Sequence, residues 1–255
     1  MRLRHNLAAL TIAVAAVAPL SANAQEKSRT FTESEIKELI AKTLMEQPEI
    51  IIESVQQMQV AEQRNKAERA RQVVQAYSSS LYKDKDSPKI GPENADVTVV
   101  EFFDYNCGYC KRSLATVQKL MDADKKVNFI FKENPMLAPN SVDAARASLA
   151  MYYLEPKHYF DYHNALFRLG GKFDEATLSS VAEGFGVDTD KFVKMMNSDR
   201  VKNHIDETQK LAARMGSQGV PVFIIGEEVI PGAVSYEALQ QQVNAVRAAK
   251  KEEKS

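Results

Sequence analysis

"VTVVEFFDYNCGYCKRSLATVQKLMDAD", Val97 to Asp124, holds both of the chain's 2 cysteines, Cys107 and Cys110, three positions apart. Its first part, Val97 to Asp104, is a β-branched and aromatic run that predicts a buried strand. From Cys110 to Asp124 the apolar spacing is helical. "VNFIFKE", Val127 to Glu133, then predicts a second strand, so the stretch reads as a strand–helix–strand unit. The two cysteines lie where the first strand hands over to the helix.

A bridge between Cys107 and Cys110 would close a very small loop. The entropy that a disulfide removes from the unfolded chain grows with loop length, so this bridge contributes little to the fold. A reactive pair is the stronger reading. Spacing of i, i+3 is compatible with the ~4.4–6.8 Å Cα separation of a disulfide. At a helix N-terminus, unpaired N–H groups and the helix dipole favour a thiolate and lower a thiol pKa from about 8.5 towards 3.5–7.5. Cys107 is therefore the candidate nucleophile and Cys110 the resolving thiol. Glu101, six positions before Cys107, is either a carboxylate able to exchange a proton with Cys110 or an exposed strand-edge residue.

Metal binding competes for a C-x-x-C pair. A structural zinc site takes four ligands and there is no second cysteine pair. His158 and His163 are spaced awkwardly for one helix face and read as ordinary helix residues. Transient Cu(I) binding at Cys107 and Cys110 stays open, because soft thiolates suit that ion. No cofactor is expected. Pro221, in "GVPVF", either opens an edge strand or follows a cis Val220–Pro221 bond that presents the Val220 backbone beside Cys107.

Outward from this centre, Arg2, Arg4 and His5 precede an apolar run, Leu7 to Leu20, that ends in Ala22-Asn23-Ala24. This predicts a secretory signal peptide, residues 1–24, cleaved after about Ala24, and an exported chain. Thr32 and Glu35 form an expected capping box, with Phe31 and Ile36 as a hydrophobic staple. A second helix is expected from Pro48 unbroken to about Leu81. Its apolar positions Ile51, Val55 and Met58 fade into "AEQRNKAERARQ", Ala61 to Gln72, before Val73, Val74 and Tyr77 resume. An apolar stripe on such an arm must be buried, so residues 25–80 are expected to form a stalk that pairs with other copies of the chain, the alternative being that both helices fold back on their own catalytic domain. "KDKDSPKIGPENAD", Lys83 to Asp96, reads as a turn-rich linker. Helical patterns fill the chain from about 138 to 205 and beyond. Strands return at "VPVFIIG" and "EEVIPG", and a last helix starts at Ser235. The net charge of -1 argues against a nucleic-acid partner.

With these residues in place, the chain from Asp96 to Lys250 resembles the DsbA family. The resemblance is carried by "EFFDYNCGYC", "FKENPMLAPNSVDAARA", "GVPVFIIG" and "VIPGAVSYEAL". It implies an α/β architecture, a thioredoxin fold over residues 81–255 with an inserted helical domain at about 138–205, preceded here by the N-terminal helical stalk. It also implies a nucleophilic Cys107, a resolving Cys110, a buried acid at Glu101 and a cis Pro221, and it suggests that Lys132 pairs with Glu101. Gly108-Tyr109 departs from the Pro-His of the strongly oxidising members, so a less depressed Cys107 pKa is expected. The Gly-Tyr dipeptide is similar to that of periplasmic disulfide isomerases of the DsbC type, and the long stalk resembles ScsC-like and Com1-like proteins. These likenesses imply a periplasmic, oligomeric disulfide isomerase or reductase. Its partners would be unfolded or misoxidised exported proteins and a DsbD-like reductase or DsbB-like oxidase in the membrane. A DsbA-like oxidase, or a copper-tolerance protein using the same thiolates, is the alternative.

Overall fold

Three strands place their side chains in strict alternation on two faces of one sheet. In a computed structural model that describes residues 30–252, these strands are β2 (Val97–Phe103), β3 (Val127–Glu133) and β4 (Val222–Ile225). Val97, Val99 and Phe103 share one hydrophobic cluster with Val127, Phe129, Phe131, Phe223 and Ile225. Val100 and Phe102 share the other with Ile130, Val222 and Ile224. A period of 2 makes this division inevitable, and burial on both faces explains why the strands read as continuous apolar runs.

The sheet has five strands in the order β1-β3-β2-β4-β5, completed by β1 (Lys89–Ile90) and β5 (Glu228–Pro231). β2 and β3 are parallel, with Val97 opposite Val127 and Phe103 opposite Glu133. Helix α4 (Gly108–Ala123) forms the crossover between them. β4 is antiparallel to β2, and β5 to β4. The linker expected at 83–96 contains β1, which pairs antiparallel with β3. Two residues are too few to show alternation.

One face of the sheet is covered by α4, the terminal helix α10 (Tyr236–Glu252) and most of a helical insertion. The insertion comprises α5 (Ser141–Leu154), a 3-10 turn (Pro156–His158), α6 (Tyr159–Arg168), α7 (Glu175–Glu183), α8 (Thr189–Met196) and α9 (Asp199–Arg214). It extends past the expected limit near 205 because α9 serves two clusters. Val201 and Ile205 pack on Ala145 and Leu149 of α5, whereas Leu211 and Ala212 join the second face of the sheet.

At the N-terminal side, the capping box at Thr32 and Glu35 starts α1 (Glu33–Glu46). The following helix α2 (Glu49–Ala76) does not continue to Leu81. Tyr77 leaves helical geometry at φ -107°, ψ 15°, and a short α3 (Ser78–Tyr82) follows. The three serines there, Ser78, Ser79 and Ser80, are weaker helix formers than alanine or leucine. The chain divides into two compact units between Gln56 and Gln57. In the first, α1 buries no residue.

The later part of α2 belongs to the second unit, which corrects the expected stalk boundary at 80. Val74 and Leu81 are buried with Val100, Phe102 and Ile224, and Tyr77 packs beside them. Arg71 is bonded to Glu228, and the Gln75 amide donates to Glu227 at 2.7 Å. The resumed apolar positions are therefore covered by the chain's own sheet. Residues 1–24, with the expected signal peptide and cleavage site, lie outside the described residues. Among the described residues no helix is long and apolar enough to cross a membrane.

Candidate active site

The backbone leaves β2 at Phe103 and turns through Asp104, Tyr105 and Asn106 before α4 begins. Asp104 shapes the turn: its carboxylate accepts the Asn106 N–H at 2.8 Å, an Asx turn, and its carbonyl accepts the Cys107 N–H at 3.0 Å. Cys107 is thereby set as the N-cap of α4, with extended φ -81° and ψ 109°. Its sulfur occupies the place where a capping oxygen usually sits and accepts the Cys110 N–H at 3.1 Å. The protonated Cys107 thiol donates to the Val220 carbonyl at 3.3 Å. The Val220–Pro221 peptide is cis.

Both cysteines are free thiols. The hydrogen bond from the Cys110 thiol, aided by the N–H groups of Cys110 and Tyr109, outweighs burial and brings the Cys107 pKa down to about 7. The direction follows from geometry, since donors at a helix start stabilise a sulfur anion. Cys110 moves the other way: burial, and the neighbouring Cys107 sulfur, push its pKa strongly up. Cys107 is 4% exposed and Cys110 1%. The ordering suits a first thiol that ionises and a second that stays protonated until needed.

Glu101 lies on the same face of β2 as Val99 and Phe103, which removes the exposed-edge reading. Burial, then the proximity of Cys107, raises its pKa to about 8, and its charge acts on Cys110 as well. Near neutral pH it is a buried, mostly protonated carboxyl electrostatically linked to both thiols. Lys132 does not pair with it. Register places Phe131 opposite Glu101 and Lys132 opposite Phe102, so Lys132 points to the other face of the sheet. There its Nζ bonds Asp84 at 2.6 Å and the Ser80 carbonyl at 2.8 Å.

His158 and His163 are not brought together as ligands. His163 is buried among Phe103, Phe131 and Phe167. Its Nδ1 is 2.8 Å from the Tyr105 hydroxyl, which also meets Ser148 Oγ at 2.7 Å. Burial lowers the His163 pKa to about 3, so the ring is neutral at neutral pH. Among the described residues no group of three or more His, Cys, Asp or Glu could hold a metal ion.

Sequence reasoning missed Asp104, Tyr105 and the loop after β3. Asp104 carried a local signal, an Asp two residues before an Asn at a strand end, which is a common turn former. The partners of Tyr105 lie on α5 and α6 and had no such signal.

The family model of the DSBA-like thioredoxin domain matches residues 98–244. A thioredoxin-like oxidoreductase from Silicibacter pomeroyi is 39% identical, with 67% of this chain and 97% of that chain covered and a TM-score of 0.62. ScsC from Proteus mirabilis, in a transitional conformation, is 30% identical over 85% of this chain and 97% of its own, with a TM-score of 0.64. Disulfide bond formation protein D of Bacillus subtilis is 26% identical over 62% of this chain and 76% of its own. The chain also matches Na(+)/H(+) antiporters of two Salinispora species, of whose length it spans 24%. On the family model and these likenesses, the chain belongs to the DSBA-like thioredoxin domain family.

Proposed function

We propose that the protein is an exported, oligomeric thiol–disulfide oxidoreductase that isomerises or reduces wrong disulfides in periplasmic clients. The observation that carries this reading is the Cys107 sulfur at the N-cap of α4, accepting the Cys110 N–H at 3.1 Å, in front of a sheltered Cys110. The Cys107 thiolate attacks one sulfur of a client disulfide. A Cys107–client bond forms, the client's own S–S bond breaks, and its second sulfur leaves as a thiolate. In isomerisation another client thiolate attacks the bonded client sulfur and releases Cys107, with no net transfer of electrons. In reduction the ionised fraction of Glu101, whose pKa is about 8, takes the Cys110 proton, and Cys110 attacks the Cys107 sulfur, so that the Cys107–client bond breaks and the client sulfur leaves as a thiolate. The client then leaves reduced, and Cys107–Cys110 forms with the loss of two electrons, to be reduced again by a membrane DsbD-like partner.

Gly108 and Tyr109 support this direction over oxidation, since neither supplies a cation to hold a thiolate as firmly as a histidine would. Ile36, Leu39, Ile40, Ile51, Val55 and Met58 support oligomerisation. All six are well exposed in α1 and early α2, at spacings that give an apolar stripe needing a partner. A second copy of the same helices is the simplest one, and several sites around one client raise effective concentration.

Refolding of scrambled ribonuclease tests the reading: the reduced protein should restore activity, and a Cys107→Ser variant should not. Inactivity on scrambled ribonuclease combined with rapid oxidation of reduced ribonuclease would favour the oxidase reading. The name of the Bacillus subtilis relative supports that alternative. Tight Cu(I) binding without turnover would favour a copper-tolerance role.

A further inference from the structure

We propose that Asp104 is a positioning residue of the exchange reaction: its carboxylate ties the Cys107 turn to the Met136–Leu137 loop, so that an apolar client side chain beside the attacked disulfide is received there. The proposal rests on the exchange activity proposed above. Asp104 is 1% exposed. A carboxylate has about four lone-pair sites, and all are used here. Oδ1 accepts the Asn106 N–H and the Ser141 hydroxyl, each at 2.8 Å. Oδ2 accepts the N–H groups of Met136 at 2.8 Å and Leu137 at 2.9 Å. Through its carbonyl Asp104 also holds the Cys107 N–H at 3.0 Å. One buried side chain thus joins the nucleophile's turn, the loop after β3 and the start of α5.

That loop has a chemical character that folding does not account for. Beyond the end of α2, the exposed large apolar side chains among the described residues are Tyr109, Met136 and Leu137, at 62%, 44% and 51%. Tyr109 lies just past Cys107. Met136 and Leu137 lie just past the end of β3, which is parallel to β2, and the Asn134 N–H donates to the Phe103 carbonyl at 2.9 Å. All three therefore follow the same ends of neighbouring strands. Apolar side chains gathered beside a reactive group mark a contact surface, and the occupant that fits is the apolar segment of an unfolded client. A methionine suits varied clients because its side chain adapts. Asp104 lends the surface what a loop normally lacks, a fixed position relative to the sulfur. Its charge also opposes ionisation of Cys107, which ties the same residue to the chemistry.

The full-length Asp104→Asn variant tests this. Its amide has one oxygen and one NH2 in place of two oxygens, so either the Met136 and Leu137 N–H groups or the Asn106 N–H would face a donor, and the tie between loop and turn is broken either way. Expected are a KM about tenfold higher for an apolar disulfide-bonded peptide, with the KM for a small disulfide as the reference, and a Cys107 titration moved to lower pH. A variant that only melts earlier, with KM and titration unchanged, overturns the proposal. If the variant does not fold, the double variant Met136→Ala, Leu137→Ala decides, with Asp104 left in place. It should raise the peptide KM with the Cys107 titration unmoved, and an unchanged KM overturns the proposal. In the wild-type protein the Met136 and Leu137 amides should exchange slowly with solvent, and fast exchange overturns it too. Wild-type protein inert to both peptide and small disulfide would sink the exchange activity itself, a different result.

Discussion

Glu101 concentrates the cost of the site in one residue. A carboxyl kept neutral by burial has a folded-state pKa of about 8 against an ordinary value of 4.5. Below 4.5 both folded and unfolded chains hold the proton, and the residue adds no pH dependence. As pH rises the unfolded chain ionises first, so stability falls until about 8, where the folded carboxyl ionises too. At about 1.4 kcal/mol per unit, the window amounts to a loss on the order of a few kcal/mol. Glu101→Gln should therefore be more stable than the wild type at pH 8 and comparable at 4.5 in denaturant unfolding. The same variant should slow resolution by Cys110 by about a hundredfold, seen as accumulated Cys107–client disulfide. Equal stability differences at the two pH values would refute the buried-acid account. The candidate residues near the cysteines were legible because C-x-x-C and Glu101 lie on one continuous strand–turn–helix. The pairing of Lys132 with Asp84 was not, because it depends on inter-strand register: Glu101 and Lys132 belong to opposite faces once Phe102 and Lys132 are paired.

At the scale of elements, α2 shows what an apolar stripe does and does not reveal. Ile51, Val55, Val73 and Val74 read alike in the sequence. The first two are exposed, while Val74 is 1% exposed beneath the sheet's second face. A stripe announces that something must cover it, and only the assembled sheet says what. The same limit hid β1, whose two residues pair with β3 without any pattern of their own. Val74→Ala should accordingly destabilise the catalytic unit by about 1–3 kcal/mol, measured as an earlier thermal midpoint. A truncation of residues 25–75 should destabilise it further, because Val74 and the Arg71 contact go with it. A truncation of residues 25–56 should leave the midpoint of the catalytic unit unchanged. If the shorter truncation also unfolds that unit, the early helices contribute to its core.

At the scale of the whole molecule, the site and the side chains proposed for assembly are largely separate along the chain. Every residue of the site, from Glu101 through Asp104, Cys107, Cys110 and Met136 to Val220 and Pro221, lies in the unit that begins at Gln57. The overall α/β organisation was legible because its deciding motif is local and its strands alternate, whereas the proposed assembly rests only on uncovered side chains of α1 and early α2. The two should respond differently to one cut. Removing residues 25–56 should convert an oligomer to a monomer in light scattering and reduce scrambled-ribonuclease refolding several-fold, because a second site no longer reaches the same client. Exchange with a small disulfide should be unaffected. In both forms its rate should climb through pH of about 7 as Cys107 ionises and level off above it, since the thiolate is the attacking species. A shift of that midpoint on truncation would mean that the N-terminal helices reach the site, and undiminished refolding by the monomer would mean that one Cys107 per client is enough.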